Sequence, residues 1–455
     1  MKRLISIFAC IIMAFCVCSC QGAGGTNSGT NSSNSSASQE KISEKVVLET
    51  KQYTMFLEDT ETARKISATV YDGEELVENA EVVYEVGNPD VAEVQEDGTI
   101  IAKSIGFTEV KVKYGKASAT AELRVIGEVE TEQVNTFDEK YVNLYGRTYQ
   151  KGDALHLDHA ASGIEVAING STLRAVIEAS ANVYLYVYVD GAETRERIAL
   201  TSGQNTYTLV SGLEKGFHTI RVVKSSEIYD GQVNIISLRS EGFYSAPEKS
   251  SLRIEFVGDS ITAGYGALGA KGAARTVENS DACSSYAYYT AQKLGADYSV
   301  VAIQGICVKA NMWLQECMSD VYKVVSPLNP SAYDFTDKAD VVVVNLGTND
   351  AEYILSKDTT YGAQFPQDYC ALLQYIRAKN PDAYIVCLYG FMGKQSAIDD
   401  GIKQAIKACN DKKMVYLEDG FTPDNMGANS HPSKYAQKEW ADTLAEYIQT
   451  KIING

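Results

Sequence analysis

Residues 254–266 read IEFVGDSITAGYG, and this stretch decides the fold of the C-terminal part of the chain. Residues 254–257 form a mostly apolar run that predicts a buried strand, and Gly258 marks a sharp turn in which a bulky side chain would clash. Ser260 is then expected on a strand-to-helix turn, which exposes a hydroxyl above a sheet and points backbone N–H groups at whatever that hydroxyl attacks. An isolated Asp-Ser pair is more simply explained as a helix cap, so residues elsewhere in the chain must decide between a cap and a nucleophile.

The chain after residue 250 alternates predicted strands and helices. The strand candidates are RIEFVGDS, YSVVAIQG, DVVVVNLGTND and AYIVCLYG, and the helix candidates between them include SSYAYYTAQKLG and FPQDYCALLQYIRAKN. This order predicts an α/β domain with a parallel sheet, whose active groups lie at the carboxyl ends of the strands. A last helix is predicted at about residues 433–453. It places Trp440, Leu444, Ile448 and Ile452 on one face, so Trp440 is expected in the core.

Small and polar residues follow three of these strands: GDS at 258–260, QG at 304–305 and GTND at 347–350. Near the C-terminus the chain reads SHP at 430–432, and no other histidine follows His218. A serine hydroxyl is a poor nucleophile without an adjacent base. If Ser260 is a nucleophile, His431 is the base that this domain offers.

Attack on a carbonyl also requires donors for the developing oxyanion. Three are available in principle: the backbone N–H of Ser260, the backbone N–H of Gly305 and the side-chain amide of Asn349. Glycine suits the second place because it lets the backbone approach a substrate closely. Asp259 and Asp350 are predicted to be structural, since each can cap a helix or hold its loop by accepting backbone hydrogen bonds.

The order Ser, Gly, Asn, His, within GDS, QG, GTND and HP contexts, resembles the four blocks of the SGNH (GDSL-type) hydrolases over residues 250–455. The resemblance implies a flavodoxin-like parallel sheet and a serine esterase that needs no cofactor. These enzymes commonly carry Asp three residues before the histidine, where this chain has Ala428. Asp424, Asn429 or a carbonyl near His431 could orient the imidazole instead, and we favour a carbonyl, which can fix the tautomer.

Residues 136–246 alternate apolar and polar positions between turns, which predicts a jelly-roll β-sandwich. The segments NLYGRTY and GLEKGFHTIRVVKSSE are similar to the N-terminal jelly roll of carbohydrate esterase family 2. That family has members in which a Ser-His dyad works with a backbone carbonyl. The resemblance implies deacetylation of plant cell-wall polysaccharides such as xylan or mannan. Tyr265, Trp313 and Tyr389 are candidate substrate-binding aromatics, although core packing explains each of them equally well.

Residues 45–127 contain seven short alternating runs, from VVLE to ATAELRVIG, which predict an all-β sandwich. The stretch GNPDVAEVQEDGTIIAKSIGFTEVKV resembles the bacterial immunoglobulin-like group 2 domain. The resemblance implies a spacer or adhesion module. Together the patterns predict a multidomain chain in which an immunoglobulin-like sandwich and a jelly roll precede an α/β domain.

Residues 1–20, MKRLISIFACIIMAFCVCSC, have the charge pattern of an export signal and are too short for a comfortable membrane span. Their end resembles the bacterial lipoprotein signal, which implies lipid attachment at Cys20; the alternative is a secreted protein that is cut nearby. Residues 21–44, rich in Ser, Asn and Gly, predict a flexible linker. The chain is therefore expected outside the cell, anchored to the outer face of the membrane.

The charge balance, 41 Lys plus Arg against 59 Asp plus Glu, gives a net charge of −18. Such a chain is a poor match for nucleic acid, and an uncharged, acetylated glycan suits it better as a partner. Six cysteines remain after residue 280; export permits disulfides, but the sequence cannot choose the pairing. Cys387 is expected to be buried. No metal is predicted, since His156 and His159 would face opposite sides of a strand.

Two other functions stay open at this point. The first is a carbohydrate-binding or adhesion lipoprotein with an inactive hydrolase fold, which the two β modules and Ala428 favour. Against it stands the full set Ser260, Gly305, Asn349 and His431, which binding alone does not require. The second is a lipase-like SGNH esterase, which the jelly roll disfavours because it points to sugars.

Overall fold

The computed structural model describes residues 44–57, 64–73, 75–126, 133–135, 137–138, 140–193, 197–418 and 425–455. The predicted signal, including Cys20, and residues 21–43 of the predicted linker lie outside these ranges. Within the described ranges, the longest apolar helical segment falls short of what a membrane crossing requires.

The first domain, which we call the N-terminal sandwich, is built of short strands. They are β1 (Glu44–Leu48), β2 (Gln52–Phe56), β3 (Ala68–Asp72), β4 (Glu75–Leu76), β5 (Val83–Val86), β6 (Ala92–Val94), β7 (Ile100–Ala102), β8 (Gly106–Tyr114) and β9 (Ala117–Ile126). One sheet has the order β1-β3-β4 and another the order β2-β9-β8-β5. All seven predicted runs form strands, whereas β2, which pairs with β9 in parallel, and β4 were not predicted. The β-sandwich is confirmed, and its immunoglobulin-like group 2 kinship stays a prediction.

The second sandwich follows as two packed antiparallel sheets. Its strands are β10 (Gln133–Asn135), β11 (Val142–Tyr145), β12 (Tyr149–Lys151), β13 (Ala154–Leu157), β14 (Gly163–Gly170), β15 (Leu173–Ala179), β16 (Val183–Val189), β17 (Ala192–Glu193), β18 (Ile198–Leu200), β19 (Gly203–Val210), β20 (Gly216–Lys224), β21 (Val233–Ser240) and β22 (Phe243–Tyr244). The sheets have the orders β12-β13-β21-β15-β19 and β11-β14-β20-β16-β17. Apolar side chains between them, such as Leu157, Ile177 and Val187, form the core.

The third domain, which we call the α/β domain, alternates strands and helices as predicted. Its elements are β23 (Arg253–Gly258), α1 (Tyr286–Lys293), β24 (Asp297–Ala302), α2 (Met318–Val321), β25 (Val324–Ser326), β26 (Asn329–Ala332), β27 (Val341–Asn345), α3 (Thr348–Ser356), α4 (Phe365–Lys379), β28 (Tyr384–Leu388), α5 (Ser396–Cys409), β29 (Met414–Tyr416) and α6 (Lys434–Tyr447), with a π-helical turn at Ile448–Ile453. The four predicted strands and the three predicted helices are confirmed. The short strand β29 was not predicted.

The parallel sheet of the α/β domain has the strand order β24-β23-β27-β28-β29. This is the flavodoxin-like order, in which the chain adds β24 on one side of its first strand, β23, and then reverses to add β27, β28 and β29 on the other side. Ligands bind such sheets at the carboxyl ends of the strands, next to that reversal. The three motif-bearing strands β24, β23 and β27 lie side by side there. Trp440 and Leu444 are buried, and Trp440 stacks on Phe391 at a ring-centroid distance of 4.0 Å, as expected of core residues.

Besides their own cores, the second sandwich and the α/β domain share one hydrophobic cluster. Tyr145 of β11 stacks on Tyr298 of β24 at a centroid distance of 5.3 Å, and the cluster that contains them extends to Tyr286 in α1. Arg147, just after β11, reaches into the α/β domain, where its Nη2 lies 3.1 Å from Oε1 of the buried Glu255. A shared hydrophobic cluster with a buried ion pair makes the two domains a single structural unit.

Candidate active site

Ser260 lies just beyond the carboxyl end of β23 in a turn, as expected, but the predicted helix does not follow directly, since a long loop leads from this turn to α1 at Tyr286. A Cβ atom on Gly258 would come within 2.0 Å of the Thr262 hydroxyl, so only glycine fits where the strand ends. Ser260 is 6% exposed, and its carbonyl accepts a hydrogen bond from the Tyr265 backbone N–H at 3.0 Å. The turn therefore holds the serine hydroxyl at the edge of the sheet.

His431 meets Ser260 across 171 residues of sequence. It precedes α6, and its imidazole Nε2 lies 2.8 Å from the Ser260 Oγ. Its other ring nitrogen, Nδ1, lies 3.0 Å from the backbone carbonyl oxygen of Asn429. A carbonyl oxygen can only accept, so Nδ1 carries the proton and Nε2 accepts from the Ser260 hydroxyl. This is the tautomer that a general base needs.

The Asn429 carbonyl points at the imidazole because the backbone turns sharply there. Asn429 and Ser430 have φ angles of +47° and +57°, in the left-handed region. Asparagine tolerates that region better than most residues. Ala428, at the usual place of an aspartate, is fully buried. A carbonyl therefore contacts Nδ1, the kind of acceptor that we favoured, while Asp424 lies outside the described residues.

The surroundings of His431 favour its neutral form. Burial lowers its pKa below the ordinary 6.5, and the positive charge of Arg275 acts in the same direction, while the Asn429 carbonyl opposes both. The Tyr265 ring packs against the imidazole at a centroid distance of 4.3 Å, and the Arg275 guanidinium lies 4.8 Å from the centre of that ring. At neutral pH the histidine is thus available to take a proton.

Gly305 and Asn349 lie after the two strands that flank β23. Gly305 has a φ of +75°, and a Cβ there would come within 3.1 Å of Trp313, which explains the glycine. Asn349 is in the first turn of α3, and its Nδ2 donates to the Ile306 carbonyl at 3.0 Å and lies 3.4 Å from Asp259 Oδ2. The amide therefore joins the glycine turn to the serine turn, and the three candidate oxyanion donors come from adjacent strand ends.

Asp259 and Asp350 are fully buried beside these turns, and both accept backbone hydrogen bonds. Asp259 accepts from the Ile261 N–H at 3.0 Å, and Asp350 accepts from the Val308 N–H at 3.1 Å. Burial raises the pKa of each carboxyl to about 7. These contacts match the structural role predicted for both residues.

Of the three aromatic residues predicted to bind substrate, the structure places two at the site and one in the core. Trp313 is 65% exposed beside Gly305, and Tyr265 packs on His431. The prediction for Tyr389 is wrong: its side chain is 1% exposed, and its hydroxyl accepts from the Gln395 N–H at 3.1 Å. Tyr389 directly follows the buried strand β28 with its ring in the core, and alternation alone could not distinguish the two sides.

Two histidines of the second sandwich, His156 and His159, make contacts of other kinds. His156 stacks on Tyr149 at a centroid distance of 4.7 Å, while His159 is fully buried with Nε2 2.9 Å from the Val325 carbonyl oxygen. Burial lowers the pKa of His159 to about 4. Among the described residues, no group of three or more His, Cys, Asp or Glu side chains could hold a metal ion.

Sequence reasoning missed two acidic residues that the second sandwich brings to this site. Glu227 accepts a hydrogen bond from the Gln304 N–H at 3.0 Å, and Asp230 forms an ion pair with Arg275. The first lies beside the glycine turn and the second behind Tyr265. The sequence offered one signal for them. Glu227 ends the segment GLEKGFHTIRVVKSSE, which is similar to part of a jelly roll, and Asp230 follows shortly after it.

Comparison with known families gives two matches along the chain. Residues 256–450 match the GDSL-like lipase/acylhydrolase family, and residues 144–247 match the carbohydrate esterase 2 N-terminal domain. The α/β domain is thus similar to GDSL-like lipases and acylhydrolases, and the second sandwich is similar to the N-terminal domain of carbohydrate esterase family 2. Neither match extends into the N-terminal sandwich.

Two curated relatives are esterases. The chain is 30% identical over 309 residues to the cellulase/esterase CelE of Acetivibrio thermocellus, covering 64% of this chain and 37% of that protein. It is 23% identical over 322 residues to an acetylxylan esterase / glucomannan deacetylase of Cellvibrio japonicus, covering 68% and 88%. The chain thus spans little more than a third of the length of the first relative.

A solved structure similar to this chain is that of a family two carbohydrate esterase from Clostridium thermocellum in complex with cellohexaose. It aligns with a TM-score of 0.63 and 27% identity, and covers 68% of this chain and 99% of that one. The structural neighbour and the two family matches agree on an esterase fold.

Proposed function

We propose that this chain, an esterase by its domains and its homologues, removes O-acetyl groups from plant cell-wall polysaccharides such as xylan or mannan. The observation that carries the proposal is the line of atoms from Ser260 Oγ through the His431 ring to the Asn429 carbonyl, with contacts of 2.8 and 3.0 Å. That arrangement supports a Ser-His dyad whose histidine is oriented by a backbone carbonyl in place of a carboxylate.

In the first half of the reaction, Ser260 Oγ attacks the acetyl carbonyl carbon while its proton moves to His431 Nε2. The carbonyl oxygen becomes an oxyanion, which accepts hydrogen bonds from the N–H groups of Ser260 and Gly305 and from the Asn349 amide. For this the amide gives up its long 3.4 Å contact with Asp259. As the tetrahedral intermediate collapses, the C–O bond to the sugar breaks and the imidazolium returns its proton to the departing sugar oxygen. The products are a free sugar hydroxyl and an acetyl-serine.

In the second half, water attacks the acetyl-serine carbonyl while His431 takes one of its protons. The same three donors stabilise the second oxyanion. Collapse then releases acetate, and the proton on His431 returns to Ser260 Oγ. Atoms and charges balance with water alone as the co-reactant, so this chemistry requires no cofactor.

Three observations support a glycan as substrate. Trp313 presents an exposed aromatic face beside Gly305, and aromatic faces suit the apolar faces of sugars. The net charge of −18 suits an uncharged polymer better than an anionic one. One relative is named for acetylxylan and glucomannan deacetylation, and the structural neighbour binds cellohexaose.

We further propose that the chain acts outside the cell, held to the membrane by lipid at Cys20. This rests on the resemblance of residues 1–20 to a lipoprotein signal and on the composition of the linker after it. Such an anchor would keep the esterase near its insoluble substrate.

Acetate release from acetylated xylan and mannan, compared between the purified protein and its Ser260→Ala variant, tests this function. Release that the substitution abolishes supports the proposal. A folded protein that releases no acetate from either glycan or from a small aryl acetate would favour a binding module. Faster hydrolysis of long-chain aryl esters than of aryl acetate would point to a lipase-like enzyme.

A further inference from the structure

The segment at residues 225–230 belongs to the second sandwich but lies against the active site of the α/β domain. It follows β20, and its residues 225–228 are buried. The Ser225 carbonyl accepts from the Ala282 N–H at 2.8 Å, and its hydroxyl donates to Asp281 at 2.9 Å. These contacts join the segment firmly to the loop between β23 and α1.

Glu227 of this segment contacts the turn that carries Gly305. Its Oε2 accepts from the Gln304 backbone N–H at 3.0 Å, and its side chain is almost completely buried. The other oxygen, Oε1, is buried and has no hydrogen-bond partner among the described residues. Burial raises the pKa of this carboxyl to about 7. The charges of Arg275 and Lys224 oppose this rise. A buried carboxyl that accepts a single hydrogen bond is unfavourable for stability, which suggests a role beyond folding.

The contact matters because Gln304 immediately precedes Gly305. Strand β24 ends at Ala302, so the Gln304 N–H lies outside the sheet ladder, and Glu227 is the acceptor that holds it. Gly305 is in the left-handed region, which permits several orientations of its peptide group. When Glu227 holds the Gln304 N–H in place, it also limits the directions in which the next N–H, that of Gly305, can point.

The same segment also reaches the histidine side of the site. Asp230 forms an ion pair with Arg275, and Arg275 Nε donates to the Ser280 hydroxyl at 2.8 Å. The Arg275 guanidinium covers the ring of Tyr265, which packs on His431. Both walls of the site therefore depend on a loop that another domain supplies.

We propose that Glu227 is a positioning residue of the esterase, through which the second sandwich orients the Gly305 N–H toward the oxyanion. This rests on the proposed function, in which that N–H is a donor. An oxyanion donor acts only when it is aimed at the transition state, so a misdirected N–H should lower kcat and leave substrate binding unchanged.

The experiment compares Glu227→Ala and Glu227→Gln with the wild type on a small aryl acetate, with Ser260→Ala as the blank. Glutamine keeps a neutral acceptor of the same length. The matched control is Glu241→Ala, since Glu241 also accepts backbone N–H groups, those of Ser171 and Thr172 at 3.1 and 3.3 Å, but within its own domain. Thermal unfolding of each variant measures the fraction that is folded.

We expect Glu227→Ala to lower kcat by about 10- to 100-fold at unchanged KM, and Glu227→Gln to recover most of it. Glu241→Ala should keep wild-type kcat per folded molecule. The inference is overturned if Glu227→Ala keeps kcat within about twofold of the wild type, or if it raises KM alone. It is also overturned if the loss of kcat in Glu227→Ala is fully explained by the fraction of unfolded protein, as expected for Glu241→Ala. A wild type that is itself no more active than Ser260→Ala would instead refute the proposed function.

Discussion

His431 Nδ1 lies 3.0 Å from the backbone carbonyl oxygen of Asn429, where many Ser-His enzymes have a carboxylate. A carbonyl fixes the same tautomer as a carboxylate would, but it carries no net charge to stabilise the imidazolium that forms during proton transfer. The position of this oxygen is set by backbone angles and not by the identity of a side chain. The first two predictions follow from that.

Ala428→Asp, which would introduce the usual aspartate, should lower both the stability and the activity of the protein. Ala428 is fully buried, and a Cβ placed on Gly269 or Gly266 would lie only 2.5 or 3.1 Å from the Ala428 methyl. Overpacking costs roughly 1–3 kcal/mol, and burying a carboxylate adds to this. We expect a lower midpoint of urea unfolding and a lower kcat, with Ala428→Ser as the milder control. A strong gain in kcat would show instead that the carbonyl orients the wild-type histidine poorly.

Asn429→Val should reduce activity, whereas Asn429→Gly should not. The Asn429 side chain is exposed, so neither change disturbs packing. A β-branched residue at a φ of +47° is strained by about 1–3 kcal/mol, which favours rotation of the carbonyl away from Nδ1. We expect kcat to fall by about 10-fold or more for valine and to stay within a few-fold for glycine. Equal kcat for the two variants would show that the carbonyl is dispensable.

As the pH falls, kcat/KM should decline with a midpoint below pH 6.5, and Arg275→Met should move that midpoint to a higher pH. Activity requires neutral His431, whose pKa is lowered by burial and by the charge of Arg275. Removing that charge favours the imidazolium and raises the pKa, and the carboxylate of Asp230, left without its partner, acts in the same direction. A pH–rate profile measures the shift, and Lys293→Met removes an exposed charge as control. An unmoved midpoint would exclude this electrostatic effect.

Arg147→Met should destabilise the α/β domain, although Arg147 belongs to the second sandwich. The substitution leaves Glu255 buried without its cation, which typically costs about 3–5 kcal/mol. Lysine should not rescue stability, because the guanidinium also stacks on Tyr333 at 4.1 Å and donates to two carbonyls. Urea unfolding followed by tryptophan fluorescence reports the α/β domain, where both tryptophans lie. A midpoint equal to that of the exposed control Lys215→Met would contradict the coupling.

Cys370 and Cys409 should form a disulfide under oxidising conditions. Both thiols are free and their Sγ atoms lie 3.1 Å apart, at the facing sides of α4 and α5. Oxidised glutathione would accept the two electrons by disulfide exchange and leave as two thiols, so the protein loses two hydrogens. Mass spectrometry should show this loss, and Cys370→Ser should prevent it. By the length of the closed loop the bond would stabilise the fold by about 3–4 kcal/mol.

Local patterns in the sequence were sufficient for much of the fold. Buried parallel strands are continuous apolar runs, so β23, β24, β27 and β28 could be predicted, whereas the three-residue β29 is too short to show a period. Motifs at the ends of parallel strands must meet at one edge of the sheet, so the sequence could place the candidates Ser260, Gly305 and Asn349 together. His431 was predicted as their partner on other grounds, because no other histidine follows His218. Cys387 is buried as expected.

Other features were decided only by tertiary structure. Whether Tyr389 faces the site or the core depends on what packs above the end of β28, and the acceptor for His431 depends on the φ angles of residues 429 and 430. Glu227 reaches Gln304 only because the second sandwich docks on the α/β domain. The sequence thus determined which residues could react, since that depends on chemical type and strand period. Packing between distant segments determined how they are aimed, since no local pattern encodes contacts across two domains.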